Sequence, residues 1–490
     1  MSDRVVVVGA GLAGLAVSVR LAGAGRPVEV LERGDGPGGV VGSFAEAGYR
    51  FDTGPTVLTM PGLIDDVFAA VGESRPAELD LRPVSPSYRA HFADGTALSS
   101  FADPERMAAE VARVCGPDEA VRYRRLAAFL DRLYRVEFEP FMNSDLDSLT
   151  DLVRPAAARL AALGGLSGLD RRIARIVTDD RLRRLFTFQA LYAGVDPRRA
   201  RAIYAVIAYL DSLAGVSFPR GGMAELPRSL AAAAVRHGVR FRYRTEVARV
   251  EVEHGRATAV ITAEGERVPA GVVVVAGDLT AAYRDLIPAD LGPRRRPAPR
   301  YAPSAVVWHV GSSGRLPDPA HHSISFGRAW QATFDQLIRR GELMSDPSLL
   351  ITSPTVTDPG LAPSGRHTYY VLAPAPNLAR GRQDWDALAE PYRDELARVL
   401  ADRGFDEHGA FSSGVDVSRV VTPADWARSG LTAGTPFARA HTLTQTGPLR
   451  HPTRHPSVPN LLFCGAGVQP GVGIPTVLLS ARLAAARLTG

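Results

Sequence analysis

Apolar and polar positions follow two periods along the chain, and the switches between them mark its elements. Residues 4–9 read RVVVVG, a β-branched run that predicts a strand buried on both faces. Residues 12–24 continue at helical spacing, and 27–31 predict a second strand. Phe241, Val247, Val250, Val252, Val260 and Ile261 alternate with polar residues, with Gly255 and Gly265 as turn signals, which predicts a meander. A further buried strand spans 271–278, ending on Gly277-Asp278. A last short one covers 460–464, followed by a glycine loop and a helix from Ile474, with Pro475 suited to its first turn. Residues 104–142 read as helical, with Leu126, Phe129, Leu130 and Leu133 on one face. Residues 202–210, AIYAVIAYL, are apolar all round and belong to the core or to the wall of an apolar cavity.

Chemistry enters with the glycines. Gly9, Gly11 and Gly14 have GxGxxG spacing between the first strand and its helix. The first permits a tight turn, the second a close approach of backbone to a pyrophosphate, the third close packing of helix on strand. The helix N-terminus adds free N–H groups and positive potential. Glu32 ends the second strand 18 residues after Gly14, where a carboxylate accepts hydrogen bonds from ribose hydroxyls. A second loop with Gly38, Gly39 and Gly42 then precedes YRFDTGPT at 49–56, an arrangement similar to FAD enzymes of the glutathione-reductase-like and amine-oxidase-like types. The nearest candidate for the GxGxxG of a separate nicotinamide domain, Gly465-Ala-Gly467, continues into Val468, Gln469 and Pro470 and does not fit. One dinucleotide, FAD, is therefore expected, and no NAD(P) domain.

Composition narrows the chemistry. The 490 residues, 46% hydrophobic and 22% charged, are ordinary for a globular protein of more than one domain. No lysine occurs, so Schiff-base, P-loop and lysine-base mechanisms are excluded. Cys115 and Cys464 are far apart and form no CxxC, and no metal site is expected. Cys464, ending an apolar strand, reads as a buried inert thiol rather than a redox or covalent flavin group. With no signal-peptide layout and no bilayer-length apolar run, a cytoplasmic protein, soluble or peripheral, is expected. The net charge is +5, and residues 154–184 alone hold eight arginines against three aspartates. There the nearly uncharged 155–166 is followed by 170–186, where Ile173, Ile176, Val177 and Leu185 lie among arginines. Together they resemble a basic amphipathic unit suited to an anionic membrane surface. Nucleic-acid binding is not expected: Arg294, Arg295 and Arg296 sit in a proline-rich loop without interleaved aromatics.

Taken together, these motifs make the chain resemble the bacterial-type phytoene desaturases, the FAD-dependent carotenoid desaturase family. The resemblance rests on VVVGAGLAGL at 6–15, GYRFDTGPTVLTMP at 48–61, FTFQALYAGVDP at 186–197 and GVSFPRGGM at 215–223. It continues in YYVLAPAPNL at 369–378, TPADW at 422–426, LTQTG at 443–447 and NLLFCGAGVQPGVGIPTVLLSA at 460–481. It implies a Rossmann-like α/β FAD-binding domain assembled from residues 1–75, 225–285 and 440–490. A mixed substrate domain (76–103 and 286–439) and a helical, membrane-associating subdomain (104–224) are inserted into it. It implies hydride removal from a hydrophobic C40 isoprenoid by noncovalent FAD, with oxygen or a quinone taking the electrons. Gly9, Gly11 and Gly14 face the pyrophosphate and Glu32 the ribose, the Val247 backbone lies near adenine, and Gly467 and Gly473 to Val477, including Ile474, lie near the flavin. Ala13, Gly39, Gly54, Pro55 and Asp278 are further cofactor contacts on the same resemblance. One position departs: the family's GGR is Gly38-Gly39-Val40 here, and Arg33 is the nearest arginine to compensate. Asp147 and Asp151 are candidate acid/base or gating residues beside a surface-capping reading, and His441 is a further candidate. The alternatives are a carotenoid isomerase or oxidase, an amine-oxidase-like flavoenzyme, or a prenyl-lipid carrier on the same fold.

Overall fold

The computed structural model describes residues 3–77, 79–292 and 298–489; the Arg294–Arg296 run lies outside the described residues. The valine runs become a five-stranded parallel sheet drawn from four distant stretches of chain. Its strands are β1 (Val5–Val8), β2 (Val28–Leu31), β3 (Arg240–Arg242), β4 (Val272–Val275) and β5 (Leu461–Phe463), in the order β5-β4-β1-β2-β3. Helix α1 (Leu12–Gly23) and helix α2 (Ile474–Thr489) pack side by side on one face. Burial on both faces is why β1 and β4 are all valine. Asn460 ties the pieces together: its amide donates to the carbonyls of Ala257 (2.7 Å) and Gly271 (2.8 Å), and its oxygen accepts from Ala257 N (2.9 Å).

Three antiparallel strands, Val247–Glu253, Arg256–Thr262 and Arg267–Pro269, form the meander. Phe241, expected within it, belongs instead to β3, where it pairs with Val30 of β2. Alternation alone did not reveal that the chain enters the parallel sheet before it turns into the meander.

A seven-stranded mixed sheet is ordered Val415–Val421, Ser304–Ser312, His367–Ala375, Leu349–Thr352, His322–Ser325, Tyr88–His91, Ala97–Ser100. Its period of two separates two environments. Val306, Trp308, Val310, Tyr369 and Val371 pack against helix Trp385–Asp402, while Val307, Tyr370 and Leu372 point the other way, into a cavity. The helical part includes Pro104–Cys115 and Pro117–Glu137, the second passing into a π-helical turn at Phe138–Met142.

The second part of the basic amphipathic unit, residues 170–186, turns its apolar side chains inward. It breaks into Leu169–Ala174 and Asp180–Leu185, and Ile173, Val177 and Leu185 are fully buried in the main core, with Ile176 packed against it. Several of its arginines pair locally, Arg181 with Asp179, Arg183 with Asp170 and Arg184 with Asp180. The apolar face of residues 170–186 is thus part of the protein's own core, whereas Leu166 in the first part of the unit, 155–166, is exposed. Among the described residues no helix is long and apolar enough to cross a membrane.

Candidate functional site

The site begins where β1 ends. Gly9 turns the chain with φ +103°, and α1 starts so close beneath it that a Cβ on Gly14 would lie 1.9 Å from the Gly9 carbonyl oxygen. Glu32 is held at the end of β2 by two backbone donors, Ala10 N and Gly34 N, each at 2.7 Å. Each carboxylate oxygen keeps a further lone pair for a ribose hydroxyl. The second glycine loop lies on the first: Gly38 N donates to the Ala10 carbonyl at 2.9 Å, and a Cβ on Gly39 would lie 3.1 Å from Gly11 Cα. Gly54 fits beneath Val40, where a Cβ would meet the Val40 carbonyl at 2.0 Å.

The C-terminal loop closes the opposite side. Buried Arg450 donates to the Val468 carbonyl at 2.9 Å and to the Ala466 carbonyl at 2.5 Å. The Gln469 amide accepts from Leu146 N at 3.0 Å and donates to the Leu146 carbonyl at 2.8 Å. Gly467 packs against Leu279, and after Gly473 the helix α2 begins, with Val477 N bonded to the Gly473 carbonyl at 2.9 Å. Gly9, Gly11, Ala13, Glu32, Arg33, Gly39, Val40, Gly54, Pro55, Val247, Asp278, Gly467, Gly473, Ile474 and Val477 all line one continuous cavity of about 2050 Å³. Gly14 lies just beneath its wall. The glycine cradle, the paired helix N-termini and the anchored Glu32 together fit a dinucleotide.

Other residues fall elsewhere. Asp147, half exposed, pairs with Arg487 at 2.6 Å. Asp151 accepts from Ser148 N at 2.8 Å, closing a 3₁₀ turn, and lies 3.5 Å from Arg154, so its carboxyl is held below the ordinary range by the Ser148 hydrogen bond first. Neither is on the cavity wall; their partners are Arg487, Ser148 and Arg154. Arg33 lines the cavity, and its Nη2 donates to the Ser429 carbonyl. Asp278 caps the helical turn at Leu279–Ala281 and accepts from Thr432. Cys464 is buried in the core, its thiol pushed up to about 12 by burial, and is not on the cavity wall. Among the described residues no group of three or more His, Cys, Asp or Glu is placed to hold a metal ion.

The remainder of the cavity is an apolar chamber. Residues 202–210 form part of its wall through Ile203, Val206, Ile207 and Leu210, facing Val307 and Leu372 from the sheet. The sequence reading missed two carboxyls in this wall, Glu137 and Asp211, both fully buried with their protonation pushed upward by burial. Asp211 is the one charged side chain closing an otherwise apolar helix, Ala205–Ser212, and that solitary charge was its signal. His441 also lies in the wall; burial first, and then nearby Arg450, keep its imidazole neutral.

Residues 12–489 match the family of flavin containing amine oxidoreductases. The chain is 52% identical to the phytoene dehydrogenase of Streptomyces griseus, covering 100% of this chain and 95% of that one. It is 35% identical to the zeta-carotene-forming phytoene desaturase of Myxococcus xanthus, covering 99% and 93%. A solved oxidoreductase from Methanosarcina mazei shares the fold with a TM-score of 0.62 at 16% identity, over 98% of this chain and 99% of that one. With the dinucleotide cradle in place and this likeness along its whole length, the chain belongs to the phytoene desaturase family of FAD-dependent oxidoreductases, within the flavin-containing amine oxidoreductases.

Proposed function

We propose that the protein desaturates phytoene or a related C40 isoprenoid stepwise, at a membrane surface, extending a conjugated polyene. The observation that carries this reading is the single cavity of about 2050 Å³ joining the dinucleotide cradle to an apolar chamber. One small-molecule site takes up to about 1,000 Å³, so the space suits a cofactor and a long apolar substrate together. Noncovalent FAD supplies the two-electron oxidant for carbon–hydrogen bonds that have no acidic proton, with oxygen or a quinone as final acceptor.

The chain's own groups do the rest. In this reading residues 1–75, 225–285 and 440–490 hold the cofactor. Gly9, Gly11, Ala13 and Gly14 meet its pyrophosphate, Glu32 its ribose, Val247 its adenine side, and Gly39, Gly54, Pro55, Gly467, Gly473, Ile474 and Val477 the flavin side. Residues 76–103 and 286–439 wall the substrate, and 104–224 cover it. Their apolar side chains exclude water and align the polyene. Incubating the protein with FAD and phytoene in liposomes tests the reading: new visible absorption bands of a polyene are expected, and unchanged spectra with flavin bound overturn it.

Exposed leucines support membrane contact. Leu149 (61% exposed), Leu166 (56%) and Leu443 (64%) are at once on the surface and on the cavity wall. Exposed Arg159, Arg171 and Arg175 lie in the same part of the chain, where anionic lipid would attract them. Burying one such leucine in lipid is worth about 1.5–3 kcal/mol. Leu149→Glu with Leu443→Glu is therefore expected to lower liposome binding at least tenfold without changing FAD content. Co-sedimentation measures the first and flavin absorbance the second.

Residue 40 offers a separate test. Arg228 reaches the second glycine loop, donating to Ser43 Oγ at 3.1 Å, and is partly neutralised by Glu225 at 2.7 Å. A charge-assisted contact is still to be gained at residue 40, worth about 1–3 kcal/mol. Val40→Arg is expected to tighten FAD binding roughly tenfold or more in flavin fluorescence titrations of apoprotein; equal or weaker affinity refutes it.

A further inference from the structure

Removing two hydrogens from neighbouring carbons demands a place for a proton, and the cavity wall has three buried groups able to take one: Glu137, Asp211 and His441. Their surroundings separate them. Glu137, at the junction between the α-helix and the π-helical turn, has an Oε2 atom with no hydrogen-bond partner, and burial alone pushes its carboxyl well up. Nothing there supports a carboxylate, so it stays a neutral acid. His441 is neutral but costly to protonate, being buried beside the cationic Arg450. Its Nε2 accepts only a long contact of 3.5 Å from Val472 N.

Asp211 differs from both. Its carboxyl accepts from the Tyr88 hydroxyl at 3.3 Å, which, with the Gln189 side chain, favours the charged form inside an apolar chamber. The titratable groups facing it are Tyr88 from the seven-stranded sheet and Tyr192 from the turn after Phe188–Leu191. Burial raises the carboxyl to about 7, and the Tyr88 and Gln189 side chains hold it from going higher. It therefore exchanges a proton near neutrality, as a general base must. Its position relates to the cofactor side of the cavity through packed groups. The Tyr88 ring lies 5.4 Å from that of His322, whose ring nitrogens sit 3.2 Å from the carbonyls of Ser87 and Thr56, next to Gly54-Pro55.

We propose that Asp211 is the proton acceptor of the desaturation. Each double bond formed breaks two C–H bonds on adjacent carbons. One hydrogen leaves with both bonding electrons to the oxidised flavin. The other leaves as a proton onto the Asp211 carboxylate, and its bonding electrons become the new π bond. The proposal rests on the desaturase reading.

The test uses the full-length FAD-loaded protein on phytoene in liposomes, and the apoprotein in melting experiments. Wild-type turnover is expected to rise with pH as Asp211 ionises and to level off above about 7. In Asp211→Asn turnover should fall by about a hundredfold or more, with flavin content unchanged and the pH limb absent. Asp211→Glu should recover part of it. Melting gives a second, activity-free readout. The raised carboxyl stabilises the fold in its protonated form, and that contribution is lost as pH rises through about 7. The melting temperature of Asp211→Asn apoprotein relative to wild type should therefore increase with pH. Wild-type turnover and an unchanged pH limb in Asp211→Asn overturn the proposal, as does loss of the limb in Glu137→Gln instead. No polyene from the wild type overturns the desaturase reading and this role with it.

Discussion

Gly14→Ala is expected to leave a protein that no longer retains FAD. The added methyl would sit 1.9 Å from the Gly9 carbonyl oxygen and 3.2 Å from Ala276 Cβ. The first of these is backbone at a turn with φ +103°, so no side-chain rotation relieves the clash. The helix α1 has to move away from β1, at a cost of about 1–3 kcal/mol in packing. The larger effect is on function, because the helix carries the N–H groups that meet the pyrophosphate, and a shift of about 1 Å can cost a hundredfold where geometry is strict. Flavin absorbance after gel filtration should show a colourless protein, and titration of apoprotein an affinity weaker by at least about a hundredfold. Normal flavin content in the variant would refute the placement of the pyrophosphate here.

The second large effect is on stability. Asn460→Leu removes one side chain that satisfies the Ala257 N–H, the Ala257 carbonyl and the Gly271 carbonyl, all inside the protein. A buried polar group left unsatisfied costs about 1–3 kcal/mol, so a loss of at least about 3 kcal/mol is expected. Urea unfolding should show a lower midpoint with an unchanged slope. Asn460→Asp separates the causes: it keeps the acceptor but loses both donations and buries a charge. A midpoint within error of wild type for Asn460→Leu would show that these groups find other partners.

What the sequence made legible follows from how each element is buried. Strands covered on both faces must be apolar throughout, so β1 and β4 are plain in the pattern, and the glycine spacing fixes the turn between β1 and α1. The seven-stranded sheet was far less visible. Its strand His322–Ser325, HSIS, is wholly buried yet polar at three of its four positions, and some of these meet partners distant in sequence, such as His322 with Ser87 and Thr56. Charge was ambiguous for the same reason. Asp147 and Asp151 suited an acid/base or gating role and surface capping equally, and their partners, Arg487 and Ser148, are visible only in the fold. Asp211 passed unnoticed because a helical period gives its place on the helix but not the chamber it faces. The apolar residues among the arginines of 170–186 gave the same pattern whether they meet lipid or core, and only packing distinguishes the two.

The position of β5 has a consequence for biosynthesis. Within the parallel sheet its neighbour is β4, yet the ribosome makes it after the entire seven-stranded sheet has been translated. At about 5–20 residues per second, β4 waits many seconds with an open, all-valine edge that invites pairing with other chains. Neither the Asn460 clasp nor the N-terminus of α2 exists during that interval. Flavin therefore cannot act as an early folding template, because half of its cradle has yet to be synthesised. Chaperone dependence during translation is expected to fall on this interval, and ribosome-bound chains stopped before Asn460 should be insoluble whether or not FAD is supplied.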